Sequence, residues 1–93
     1  MKRNVEREKE YLFDAILKME TADECRAFFD DVCTIKELES IAQRLTVARL
    51  LRSGLTFNEI VEKTGASTAT ISRVNRCLNY GTGYRNILEK MGE

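Results

Sequence analysis

A chain of 93 residues suffices for one domain, residues 1–93, but its single core is marginal unless it gains a partner. Hydrophobic residues make up 43% and charged residues 32%, a globular balance that excludes wholesale disorder, and the absence of proline with only five glycines favours an all-α chain. The formal net charge is zero, so any affinity for a polyanion has to come from how the charge is distributed.

In chain order, a first helix is expected from about Asn4 to Met19, with Leu12, Phe13, Ile16 and Leu17 as an apolar stripe after a charged beginning. Thr21-Ala22-Asp23-Glu24 reads as a capping box opening a short second helix, with Cys25, Phe28, Phe29 and Val32 as its buried candidates. Thr34-Ile35-Lys36-Glu37 is a further box. It opens a long helix to about Arg52 in which Ile35, Leu38, Ile41, Ala42, Leu45, Ala48 and Leu51 keep to one face. Gly54 stops that helix.

Residues 56–78 then read as a helix-turn-helix. Thr56 caps a helix while Glu59, three residues on, reaches back to the cap's backbone N–H. Gly65 supplies the left-handed backbone that ends this helix, and Ser67 caps the next almost at once, so the two are joined by about one tight turn. In the second of them Ile71, Val74 and Leu78 face inward at helical spacing. Thr68, Ala69, Ser72, Arg73 and Arg76 are left outside. A small, hydroxylated, basic surface of this kind suits groove walls, with hydroxyls and methyls for base edges and arginines for phosphate. Asn79 to Gly83 is expected to be a loop, followed by a last short helix carrying Tyr84, Ile87, Leu88 and Met91.

Charge supports the nucleic-acid reading once it is resolved along the chain. Residues 1–31 hold six basic and nine acidic side chains, a net −3, whereas residues 49–76 hold five basic and two acidic, a net +3. A local basic patch supplies counterion release even when the whole chain is neutral. Cys25, Cys33 and Cys77 are odd in number and widely spaced, and without a histidine there is neither a zinc constellation nor the commonest general base. They are expected to be reduced, mostly buried thiols, with no metal and no cofactor, in a protein that is not an enzyme. No apolar run reaches the length of a membrane span and residues 1–7 lack the apolar core of a signal peptide, so the expected location is the cytoplasm.

Together these features resemble the Trp repressor superfamily, most closely its YerC/YecD-like branch. The resemblance rests on Ala69-Thr70-Ile71-Ser72-Arg73 as a recognition-helix core, Leu50-Leu51-Arg52-Ser53-Gly54 as the end of the long helix, and Glu59-Ile60 with Gly65-Ala66 around the turn. It covers roughly residues 34–91 well and the N-terminal third by helix order. What it implies is a six-helix Trp-repressor-like fold, an intertwined homodimer, and bacterial transcription regulation at a two-fold site on double-stranded DNA.

The resemblance also implies a candidate effector pocket. Two arginines that sandwich the corepressor's indole ring in Trp repressor have counterparts in Arg44 and Arg73. The glycine that makes room for the ring is matched by Val74, and a serine that helps hold the amino group is matched by Cys77. The expectation is therefore a DNA-binding transcriptional regulator, a repressor by kind, that does not respond to tryptophan and whose small-molecule effector, if it has one, is unidentified. Thr68, Ala69 and Ser72 are the base-edge candidates; Thr70, Arg73 and Arg76 hold phosphate or brace the helix, with Ser67 at its start and Lys63 as a further backbone contact. The alternative is a protein-interaction module whose helix-turn-helix contacts polymerase or another regulator.

Overall fold

The computed structural model describes residues 2–93. Six helices and no strand occur among them: α1 (Val5–Leu17), α2 (Ala22–Val32), α3 (Ile35–Arg52), α4 (Phe57–Thr64), α5 (Thr68–Tyr80) and α6 (Gly83–Lys90). The chain divides into two compact units, Met1–Ile35 and Lys36–Glu93.

In the first unit, Asn4 caps α1 by accepting the Arg7 amide at 3.1 Å, and Thr21 caps α2 by accepting the Glu24 amide at 3.1 Å. The reciprocal half of the expected box is displaced by one residue, because the Glu24 carboxylate accepts from Glu20 N at 3.3 Å and not from the cap residue itself. α1 closes at Leu17, where Lys18 N turns to the Ala15 carbonyl. Neither helix contains a buried side chain. The apolar stripe of α1 is formed but uncovered, with Leu17 81% exposed, and Cys25 and Val32 of α2 are exposed where burial was expected. Phe28 and Phe29 are half-buried and meet edge to face with centroids 5.4 Å apart.

The cysteines correct a second expectation. All three are free, but Cys25 is exposed and Cys33 and Cys77 are only half-buried, so none is a core thiol.

The second unit holds the core. Val47 and Ala48 of α3, Ile60 of α4, Ala66 of the turn, Ile71 and Val74 of α5 and Leu88 of α6 form one cluster, with Leu45, Leu50, Leu51, Leu55, Phe57, Val61 and Tyr84 packed around it. Only the C-terminal half of α3 is covered in this way; Ile41 and Ala42 stay exposed, and the buried Val47 lies outside the face read from periodicity. The helix ends where a Schellman motif closes it. Gly54, at φ +93°, donates to Leu51 O at 3.0 Å, and Leu55 N donates to Leu50 O at 3.2 Å.

The Thr56 box forms in full: Glu59 N donates to Thr56 Oγ1 at 3.2 Å and Thr56 N donates to Glu59 Oε1 at 3.0 Å. These bonds hold the Glu59 carboxyl below the ordinary carboxylate range, the backbone donor contributing most, then the Thr56 side chain, with Lys63 one turn on adding to them. A carboxyl lowered by folding stabilises the fold above its unfolded pKa, and that share is lost as pH falls through its folded value. The thermal midpoint of Glu59→Gln should therefore lie below the parent's at neutral pH and converge on it as the pH falls from the ordinary glutamate range through the lowered folded value.

Candidate nucleic-acid interface

The turn between α4 and α5 is fixed from both sides. Gly65 at φ +71° donates its N–H to Val61 O at 2.9 Å, and Ala66 N donates to Thr64 Oγ1 at 3.1 Å. Gln43 of α3 reaches across to donate to Thr64 O at 3.0 Å, and Ala66 is 2% exposed, its methyl sealed in the core. α5 starts from a Ser67 cap whose Oγ accepts the Thr70 amide at 3.1 Å. It runs two residues past the expected end at Leu78, to Tyr80, because the chain offers no breaker before Gly81. That glycine is required. A Cβ there would sit 2.8 Å from the Cys77 carbonyl oxygen.

α5 presents two faces. Ile71 and Val74 are buried, whereas Thr68, Ala69, Ser72, Arg73 and Arg76 are all exposed, as the periodicity predicts. Arg73 and Arg76 make no hydrogen bond or ion pair among the described residues, so both guanidiniums are free to meet an external anion. Ser67 and Thr70 are partly committed to the cap: Ser67 Oγ donates to Thr70 Oγ1 at 3.1 Å, which leaves Thr70 its own proton to donate. Lys63 is exposed near the end of α4. Seven of the eight candidate DNA contacts thus share α5 and its cap, with Lys63 four residues before the cap.

The candidate effector residues separate into two pairs. Arg44 and Cys77, both half-buried, line a cavity of about 500 Å³ with Ile41, Leu45, Tyr84 and Ile87. Arg73 and Val74 do not line it, and Val74, 1% exposed, packs into the core. Sequence reasoning did not see that Arg49 also borders a cavity, together with Lys63. The two lie 14 residues apart on different helices, so no local spacing could have joined them. No group of three or more acidic or thiol side chains that could hold a metal occurs among the described residues, and no helix among them is long and apolar enough to cross a membrane.

A six-helix chain with this helix-turn-helix matches the family model of the Trp repressor protein over residues 7–92. The chain belongs to the Trp repressor family. That family is one of DNA-binding, helix-turn-helix transcription regulators and not of enzymes. The uncharacterized protein YerC of Bacillus subtilis is 54% identical over 88 residues, covering 94% of this chain and 85% of YerC. Among solved structures, a Trp repressor candidate from Staphylococcus aureus superposes with a TM-score of 0.86 at 47% identity, over 97% of this chain and 89% of that one. A TrpR-like protein from Eubacterium eligens does so with a TM-score of 0.86 at 57% identity, over 89% and 87%. These likenesses extend the Trp repressor resemblance into the N-terminal third, where the sequence offered helix order alone.

Proposed function

We infer that the 93 residues act as one sequence-specific, homodimeric regulator of transcription, a repressor by kind, that works in the cytoplasm of a bacterium. The observation carrying this reading is the outward face of α5, small and hydroxylated toward its start and cationic beyond, on a helix whose opposite face is fixed in the core. Thr68, Ala69 and Ser72 approach base edges, while Thr70, Arg73, Arg76, Ser67 and Lys63 hold the sugar-phosphate backbone. Each protomer of a two-fold dimer inserts α5 into one of two major grooves about one turn apart.

Selection of bound duplexes from a randomised pool, followed by gel shift, tests this. Ser72→Ala should relax base preference at one position, with a loss on the order of 1 kcal/mol. Arg76→Ala should weaken all duplexes alike and reduce the slope of log affinity against log salt by about 0.9. Unchanged binding in both variants would place the recognition surface elsewhere.

The effector cavity supports independence from tryptophan. Arg44 offers a guanidinium for a carboxylate, but no carboxylate lines the cavity to receive an ammonium group, and Cys77 is a poor acceptor. An amino-acid zwitterion brought there would find a partner for its carboxylate but none for its ammonium group among the lining side chains. Titration calorimetry with millimolar tryptophan is expected to show no saturable heat, and one site per chain would refute the argument. An apolar or anionic small molecule fits the cavity better.

A further inference from the structure

The C-terminal parts of α3 and α4 border a second open cavity, of about 590 Å³, with Arg49 and Lys63 on its walls. No residue of α5 and no carboxylate lines it. Neither cation makes a hydrogen bond or ion pair among the described residues, whereas Arg52, on the same last turn of α3, reaches Glu89 at 3.6 Å. Glu59, one turn back on Lys63's helical face, interacts with that cation, but its carboxylate is bound to the Thr56 amide and does not line the cavity. Two cations with no hydrogen-bonded or ion-paired partner among the described residues therefore border one open space, beside the half-buried Leu50 and Leu55.

The hydroxyls on the same wall narrow the choice of ligand. Thr46 Oγ1 donates to Ala42 O at 3.1 Å, Ser53 Oγ to Arg49 O at 2.9 Å and Thr64 Oγ1 to Ile60 O at 2.7 Å. Their protons are committed to the backbone, so the wall reads charge and not a hydroxyl pattern. A neutral sugar or amide gains little from it, while a compact multiply charged anion gains from both cations.

We propose that this cavity is a phosphate-binding site in which Arg49 and Lys63 share one phosphate group, apart from the surface that reads bases. The phosphate has two sources, a backbone phosphate flanking the sequence that α5 contacts or a free phosphate compound. Only the first rests on the DNA-binding reading above. The first helix of a helix-turn-helix crosses the DNA backbone, which puts the end of α4 within the class of positions that meet flanking phosphates.

Two measurements on the 93-residue chain separate the sources. Calorimetric titration with inorganic pyrophosphate at low ionic strength is expected to give saturable binding at one site per chain, at least tenfold weaker in the double variant Arg49→Gln/Lys63→Gln and unchanged in Lys90→Gln. For a selected duplex, the double variant should flatten the slope of log affinity against log salt by about 0.9, as expected for one lost phosphate contact. Loss of pyrophosphate binding with an unchanged slope assigns the site to a free phosphate compound; a flattened slope without pyrophosphate binding assigns it to DNA. If neither quantity moves while circular dichroism reports parental helix content, the proposal is overturned. Should the parent bind no duplex at all, the DNA-binding reading falls and the pyrophosphate titration alone decides the site.

Discussion

Ile71→Ala is expected to lower the free energy of unfolding by about 2–5 kcal/mol, the range for truncating a fully buried isoleucine. Ile71 is completely buried in the cluster that α3, α4, α5 and α6 share, so its truncation leaves a cavity inside the core. Small domains are held by roughly 5–15 kcal/mol, and a loss of this size removes a large fraction of that. Urea titration followed by circular dichroism measures it directly. The adjacent Ser72→Ala is the internal control, because an exposed position of the same helix should change stability by no more than about 0.5 kcal/mol. If Ile71→Ala unfolds no more easily than Ser72→Ala, the two faces of α5 have been assigned the wrong way round.

Light scattering at micromolar concentration should return about twice 10.7 kDa for the parent and a concentration-dependent, smaller value for Leu17→Glu. Leu17 and Ile35 are each 81% exposed in the single chain, and Tyr11, Phe13 and Val32 are also exposed, an apolar surface of the kind an obligate dimer covers. Burying a leucine side chain contributes roughly 1.5–3 kcal/mol, and a two-fold interface counts the change twice, so dimer affinity should fall by roughly two to four decades. Affinity for a two-fold DNA site should drop on the order of 10²-fold or more as one helix-turn-helix loses its linkage to the other. The substitution leaves each chain's own core untouched. A parent that runs as a stable monomer near 10.7 kDa would sink the dimer and, with it, the two-fold site.

The helix-turn-helix was legible because its signals are local. Thr56 with Glu59, Gly65 and Ser67 each act within four residues, and each appears at its expected place with the expected bond. The end of α5 was misplaced by two residues because Asn79 and Tyr80 disfavour a helix only weakly, and the backbone turns extended only at Gly81. Burial was less legible. Periodicity tells which side of a helix is apolar but not what covers it, so α1 and α2 carry their stripes uncovered and Val47 was missed. Val74 illustrates the limit for the effector pocket. Its place in the sequence suggested a floor for an aromatic ring, but its side chain packs with Ile71 and Leu88, so Val74→Gly would open the core itself.

The division of labour along α5 bears on how such a regulator diverges. Positions that fix the helix against Val47, Ile60 and Ala66 are different residues from those that face outward, and the outward Thr68, Ala69 and Ser72 are exposed. Substitutions at Thr68, Ala69 or Ser72 therefore encounter almost no stability threshold, whereas changes at Ile71 or Val74 meet it at once. Lineages sharing this fold can drift in target preference one exposed residue at a time, each intermediate remaining folded. Ala66 limits that freedom from beneath, since a larger side chain at this buried position would overpack the core on which α5 rests.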